Sequence, residues 1–377
     1  MASCWNRSVP EPDMMSRAHP QIPLLELSGT PSELGEGHGE QQRGQIQEYS
    51  ERFLEWLLRN SIWAQREQDV WDKWSPQVAC NERVVPHLVE EMRGIARGAG
   101  VAFERIFLLN SILDLVSFCY LEMGVNFGCT SFAVSREPGT ARTLVGQTYD
   151  MPELHQDYLL LLRLTPAQGP RQLVFSFAGV VGAGGLNEAG IGLSINFLSC
   201  RDVGMGKLHS CVVREVLASA NLGEALTAPV VPPRAGGAHY LVGDDSGSVV
   251  SVETTGQRFQ AIYPQENVYG HTNHYLAAAL KETEVIRPQA IGSSLARYAS
   301  LSRYFRENPE QVDLAHLQDL TRNHASFPRS ICAHGSALEA TGFRSRTLAA
   351  MVNVLNDRVL HVTGGCACEN EYVAVTL

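Results

Sequence analysis

The 377-residue chain lacks the features that mark several large protein classes. No uninterrupted apolar run approaches the roughly 18 residues of a membrane span, which excludes that class and predicts a soluble protein. The opening MASCWNRSVPEPDMMSRAHPQ has no apolar centre of the secretory kind, and Pro10, Pro12 and Pro20 break any helix there. Residues 1–26 therefore read as a mobile leader, and cytoplasmic residence is expected. Clusters of Lys and Arg are absent as well, and the formal charge is −10, which argues against a phosphate backbone as partner. The nine cysteines are an odd number, scattered and without a Cys-x-x-Cys pair, so neither a disulfide framework nor a metal centre is expected. No repeat of 20–50 residues and no long linker divides the chain beyond Pro232-Pro233 and Gly236-Gly237.

What is present is ordinary globular composition, 44% hydrophobic and 19% charged, in a chain long enough for one large core. Thr30-Pro31-Ser32-Glu33 has the form of a helix start, with a capping residue, proline at the first helical position and a glutamate that completes a capping box. Ile46, Tyr49, Phe53, Trp56 and Leu57 recur at helical spacing, while Gly35, Gly37, Gly39 and Gly44 weaken the first half and invite close approach of another backbone. Helical segments are also predicted near 65–79, 84–98 and 103–122, so the first 125 residues read as mostly helical.

The texture changes at Asn126-Phe127-Gly128-Cys129. Strand-like runs follow at 131–135, 143–149, 158–165, 173–177 and 191–197, then a helix near 211–218, strands near 239–242 and 249–254, helices near 291–306 and 313–323, and closing strands at 348–355, 359–363 and 372–376. This order predicts a layered α+β architecture.

Gly128-Cys129 sits at the helix-to-strand boundary, the glycine being the residue whose backbone tolerates almost any conformation. If that peptide bond is strained, the thiol can attack the preceding carbonyl, and hydrolysis of the thioester frees an α-amine on Cys129. An α-amine titrates near 7.7–8.0 and a free thiol near 8.5, so the nucleophile would carry its own base. Asp150 ends a predicted strand 21 residues later, and a hairpin of that length returns it beside Cys129; an aspartate leaving a strand before Met-Pro also suits a plain turn. Asn196 lies at the far end of the strand after the Asn187-Glu188-Ala189-Gly190 turn, where a buried amide can donate to an oxyanion. Thr272-Asn273-His274 offers a second amide, and Ser293-Ser294 opens a helix with Arg297 in its first turns. His271 with His274 lacks a further ligand pattern, Cys366-Ala367-Cys368 reads as a turn, and the Gly cluster at 179–185 lacks the dinucleotide fingerprint.

In this order the motifs resemble the choloylglycine hydrolase and penicillin acyltransferase branch of N-terminal-nucleophile hydrolases, especially the autoproteolytic acyl-coenzyme A:isopenicillin N acyltransferase family. The resemblance runs from about residue 27, with Leu27-Ser28-Gly29-Thr30-Pro31, through Gly-Cys-Thr-Ser-Phe at 128–132 to Arg346–Leu355 and Gly364-Gly365-Cys366. It implies a four-layer αββα sandwich, cleavage between Gly128 and Cys129, a small subunit 27–128 that stays bound, and a catalytic core 129–377. It also implies Cys129 as nucleophile, Asp150 orienting the α-amine, Asn196 and Asn273 at the oxyanion site, and Arg297 steadying Asp150 and the thiolate. Thr148-Tyr149 replaces the family's usual Asn-Trp, and Gln147 stands where bile-salt hydrolases carry arginine, which speaks against bile-salt hydrolysis.

The expected activity is cleavage or transfer of an acyl group on a small amide or thioester, with an amine or water as acceptor, no cofactor, and a coenzyme A thioester as one substrate type. A β-alanyl-amine hydrolase is the alternative within the family. A non-catalytic scaffold of the same fold is the alternative from another class and predicts an uncut chain near 41 kDa. A papain-like protease does not fit Gly-Cys-Thr-Ser.

Overall fold

The computed structural model describes residues 22–61, 63–123, 128–286, 288–308, 310–335 and 344–377, with the backbone alone at 119–123 and 289. Residues 1–21 of the expected leader and Asn126-Phe127 lie outside the described residues. The leader reading is corrected at its end, because β1 (Leu24–Gly29) already begins at residue 24 and pairs in parallel with a later strand. Leu25 and Leu27 alternate inward along it, a period-2 pattern too short to stand out beside the prolines.

Helices follow: α1 (Pro31–Gln41), α2 (Arg43–Asn60), α3 (Glu67–Trp74), α4 (Pro76–Val84), α5 (Pro86–Ala99), α6 (Phe103–Asn110) and α7 (Ile112–Met123). The capping box at Thr30 forms as predicted: Glu33 N–H donates to Thr30 Oγ1, and the Glu33 carboxylate accepts from Thr30 N–H at 2.7 Å. In α2, Ile46, Tyr49, Phe53, Trp56 and Leu57 are buried, as their spacing requires. The glycines divide. An ideal Cβ on Gly35 would lie 2.0 Å from Glu91 O and one on Gly39 2.3 Å from Ile95 O, while Gly94 and Gly98 of α5 meet Ser32 O at 2.5 Å and Glu36 O at 2.2 Å. Two Gly-x-x-x-Gly faces thus bring α1 and α5 into backbone contact. Gly37 approaches a Leu27 side chain and Gly44 nothing within 4 Å, so neither shares that crossing.

The second half builds two sheets. Its elements are β2 (Gly128–Val134), β3 (Leu144–Pro152), a 3-10 turn at Glu153–Tyr158, β4 (Leu159–Pro166), β5 (Gln172–Phe177), β6 (Gly184–Asn187), β7 (Gly192–Leu198), α8 (His209–Leu217) and α9 (Leu222–Val230). Next come β8 (Gly237–Gly243), β9 (Val249–Thr254), β10 (Phe259–Ile262), β11 (Val268–His271), α10 (Ala278–Lys281), α11 (Pro288–Glu307), α12 (Leu314–Leu320), β12 (Ser345–Val354), β13 (Val359–Gly364) and β14 (Val373–Thr376). One sheet runs β1-β4-β5-β6-β7-β8-β9-β10 and the other β11-β2-β3-β12-β13-β14.

Strands β2 and β3 face β7 and β8 across the interior. Helices α1, α8 and α9 cover the eight-stranded sheet from outside, and α11 and α12 cover the six-stranded one. This is the four-layer αββα sandwich expected. Its largest core runs from the N-terminal helices through the space between the sheets, and a second core under α11 and α12 holds Phe132, Leu301, Phe305 and Val352. The chain's Glu91 and Arg214 pair bidentately where α5 meets α8, both side chains 4% exposed. Among the described residues, no helix is long and apolar enough to cross a membrane.

Candidate active site

Cys129 is the second residue of β2, and its position follows from the hairpin that joins β2 to β3. In the antiparallel register Gly128 faces Asp150, Cys129 faces Tyr149 and Thr130 faces Thr148. Cross-strand partners share a face and neighbours alternate. Asp150 is therefore level with Gly128, one residue before the position the sequence suggested, on the opposite face from the Cys129 side chain.

That register explains the glycine. An ideal Cβ at 128 would lie 2.9 Å from Asp150 Oδ2 and 3.6 Å from Arg297 Nη2. Space beside a buried carboxylate, with an arginine close by, is what excludes a side chain.

The backbone of Cys129 is held at both ends. Its N–H donates to Asn273 Oδ1 at 2.9 Å, and its carbonyl accepts from Arg297 Nη1 at 2.6 Å. Arg297 Nη2 donates to the same Asn273 oxygen at 2.8 Å, and Nη1 also reaches Thr130 Oγ1 at 3.0 Å. Asn273 is reached because β11 pairs with β2 through His271 opposite Ser131, after which the chain runs on past the start of β2. Ser294 of α11 accepts from Asn273 N–H at 2.8 Å and fixes it there. Arg297 is midway along α11 and not in its first turns, since the helix starts at Pro288.

The electrostatics are those of a buried site. Burial pushes the Cys129 thiol up to about 12; the nearby Asp150 charge adds to this, while the Asp150 N–H, the Arg297 charge and the Phe197 N–H oppose it. Burial likewise raises the Asp150 carboxyl to about 7 against the Arg297 charge and hydrogen bonds from Thr347 and Thr148. Thr347 Oγ1 donates to Asp150 Oδ1 at 2.7 Å. Arg297, buried as well, is held below its ordinary value by desolvation.

The two amides differ from the simple oxyanion picture. Asn273 Nδ2 donates to Phe197 O at 3.0 Å, so its oxygen and not its nitrogen meets Cys129. Asn196 Oδ1 accepts from Ser131 Oγ at 2.5 Å and lies 2.7 Å from His239 Nδ1, while its Nδ2 is buried without a hydrogen-bond partner. Asn196 thus faces Ser131, two residues along β2 from Cys129. The donor aimed at the thiol from β7 is the backbone N–H of the next residue, Phe197. A backbone donor leaves no sequence signal. Thr347 was missed for a related reason, since a hydroxyl on a strand is indistinguishable from an ordinary sheet residue until the register is known.

The histidines flanking Asn273 are structural. His271 lies 2.8 Å from the buried Glu253 carboxylate and stacks on His239, and His274 Nδ1 lies 2.8 Å from Ser294 Oγ. Phe132, Tyr149 and Phe197 are all buried, and Tyr149 lines a small cavity with Phe177 and Ile195.

Two facing sheets between helical layers, with a cysteine opening an inner strand, define the class of N-terminal-nucleophile hydrolases. A family model for acyl-coenzyme A:6-aminopenicillanic acid acyl-transferases matches residues 135–363, more than half of the chain, and the chain belongs to that family. The matched span contains Asp150, Asn196, Asn273 and Arg297 and begins six residues after Cys129.

Among similar proteins, the chain is 25% identical over 340 residues to an uncharacterized protein of Archaeoglobus fulgidus, covering 77% of this chain and 56% of that protein. It is 28% identical over 184 residues to the acyl-coenzyme A:6-aminopenicillanic-acid-acyltransferase 40 kDa form of Emericella nidulans, covering 45% of each. The chain thus spans about half the length of these curated relatives. Solved structures with similarity include a conjugated bile acid hydrolase mutant from Clostridium perfringens, at 14% identity and TM-score 0.45, covering 66% of this chain and 97% of that one. Another is the Caenorhabditis elegans N-acylethanolamine-hydrolyzing acid amidase ortholog, at 14% identity and TM-score 0.42, covering 66% and 100%.

Proposed function

We propose that this chain is an autoproteolytic cysteine amidohydrolase or acyltransferase that cuts itself between Gly128 and Cys129 and then works through an acyl-Cys129 intermediate. The observation that carries the reading is the grip on the backbone of Cys129, from its N–H, which belongs to the Gly128–Cys129 peptide, to its carbonyl, which belongs to the next. Asn273 accepts from the Cys129 N–H, Arg297 bridges Asn273 and the Cys129 carbonyl, and Asp150 stands against Gly128.

In the proposed self-cleavage the Cys129 sulfur bonds to the Gly128 carbonyl carbon, the carbon–nitrogen bond breaks, and the nitrogen takes up the proton lost by the thiol. Water then adds to the thioester, the carbon–sulfur bond breaks, and the products are a Gly128 carboxylate and a free Cys129 with thiol and α-amine. A thiol near 12 is a poor nucleophile, so this step is expected to speed up as pH rises; Asp150, on the other face of the strand pair, is assigned to hold the released nitrogen.

After cutting, the α-amine of Cys129 lies between Asn273 Oδ1 and Asp150, both able to accept from it. It serves as the base, and the thiol attacks an amide or thioester carbonyl. The Phe197 N–H and a reoriented Asn273 amide are the donors assigned to the oxyanion. The acyl group passes to water or to an amine. The fungal relative's name points to a coenzyme A thioester as one acyl donor for this site.

Intact mass of the purified chain beside Cys129→Ala tests this. Wild type is expected as two fragments, one ending at Gly128 and one beginning at Cys129, with the variant uncut. Two uncut chains would favour the scaffold reading instead.

A further inference from the structure

We propose that a cluster outside the active site, formed by His324, Cys332, His334 and Cys368, is a tetrahedral site for a structural zinc ion. The ligating atoms of the four side chains all lie within 4.8 Å of one another. His324 Nε2 is 3.0 Å from His334 Nε2, Cys332 Sγ is 3.5 Å from His334 Nε2 and 3.5 Å from Cys368 Sγ, and Cys368 Sγ is 3.2 Å from His334 Nε2. Those are four of the six ligand–ligand distances, the two from His324 to the sulfurs being within 4.8 Å; a regular tetrahedron with edges like the four has its centre about 2 Å from each vertex, within a few tenths of an ångström of Zn–N and Zn–S bond lengths. Two nitrogens and two sulfurs in that shape select zinc over the oxygen-seeking cations.

Three further features favour an ion over a chance contact. Hydrogen bonding alone leaves the cluster overcommitted. The other ring nitrogen of His334 lies 3.3 Å from Glu369 Oε1, and donating its proton there leaves Nε2 a single lone pair, toward which His324 and both thiols converge. Cys332 can donate to Cys368 Sγ, but one lone pair cannot serve both His324 and Cys368, whereas one cation can accept an electron pair from all four groups. The Glu369 contact is also the carboxylate–histidine arrangement that orients a metal-bound imidazole, and Arg346 Nη2 holds Glu369 from behind at 2.8 Å.

The ligands are placed, too, by backbone rather than by chance side-chain swing. Cys332 N–H donates to Asn323 O at 3.0 Å and His334 N–H to Pro328 O at 2.9 Å, folding residues 323–334 back on themselves. Cys368 arrives on the turn after β13. His324 and Cys368 are exposed, which gives an ion access, while Cys332 is buried. Sequence reading missed the set because the ligands come as Cys-x-His, one cysteine of a Cys-x-Cys and a distant histidine; the other cysteine, Cys366, reaches Ala333 O, with its sulfur within 4.8 Å of His334 and Glu369 atoms.

The site has a place in the architecture. Ala333, between two ligands, donates its N–H to Thr347 Oγ1 at 2.9 Å, and Thr347 Oγ1 in turn donates to Asp150. An ion that pins residues 332–334 to the β13 turn therefore braces the residue holding the buried aspartate.

The test is a cobalt(II) titration of the full chain, purified in reducing agent and freed of metal by chelator and desalting. Saturation at one cobalt per chain is expected, with a thiolate-to-cobalt charge-transfer band and the intense visible bands of a tetrahedral ion, all erased by one equivalent of zinc. Cys368→Ser, an exposed change, is expected to lower the charge-transfer intensity by about half, because one of two thiolates is lost. Cys200→Ser, far from the cluster, serves as the folded control with an unchanged spectrum. A reduced chain that takes up neither cobalt nor zinc overturns the assignment. So does an unaltered spectrum in a Cys332→Ser/Cys368→Ser double variant whose circular dichroism matches wild type.

Discussion

At the scale of single residues, the buried Asp150 is the group whose charge matters most. Its carboxyl sits near 7 because burial outweighs the Arg297 charge and the Thr347 hydrogen bond. The folded state therefore keeps its proton to higher pH than the unfolded chain, whose carboxylate titrates near 3.9. Stability from this group is present below that value and is lost as pH rises through about 7, by up to roughly 4 kcal/mol for the full shift. In an uncut Cys129→Ala background, Asp150→Asn is expected to raise the unfolding midpoint more at about pH 8 than at about pH 5. An equal effect at both would show that Asp150 does not titrate in that window. With Cys129 intact, the rate of chain cutting is expected to climb with pH as the thiol ionises and to fall in Asp150→Asn, as followed by gel densitometry.

At the scale of elements, the α1–α5 crossing is the contact least tolerant of change. Gly98→Val would drive a side chain into Glu36 O, where even a Cβ would lie at 2.2 Å. The two helices must then separate, at a cost of several kcal/mol, above the 1–3 typical of ordinary overpacking. Urea denaturation of the uncut Cys129→Ala chain reads this directly, and a loss below about 1 kcal/mol would show that the helices can part freely.

The same elements show what the sequence could and could not convey. Helices with an amphipathic stripe and a capping box, and strands with β-branched alternation, were legible, because local pattern and final burial agree in them. Strand β1 escaped because it is short and its partner β4 lies more than 130 residues downstream. Helix α9 was passed over between loops, and β10 and β11 are brief segments whose pairing is with distant strands. In the site, Cys129, Asp150, Asn273 and Arg297 converge as the motifs suggested. The side of the strand each occupies, the direction of the Asn273 amide and the Phe197 donor depend on register, which a one-residue shift reverses.

At the scale of the molecule, the segment before Gly128 is woven into the rest. Its β1 completes the eight-stranded sheet, its helices share the main core, and Glu91 pairs with Arg214 across the boundary. The two fragments of a cut chain are therefore expected to elute together in size-exclusion chromatography without denaturant and to separate in urea. Elution as two independent species under native conditions would contradict this interlocking.

The parallel pairing of β1 with β4 carries a further meaning for how the protein is kept dispersed. Strand β4 begins with four consecutive leucines, Leu159 to Leu162, and β1 is the strand that occupies its outer flank. A fragment 129–377 made by itself would present that leucine-rich edge with its backbone donors and acceptors open, the kind of rim along which chains stack into insoluble sheets. The first strand thus serves its partner as a built-in chaperone, supplied in a fixed one-to-one ratio because both lie in a single chain.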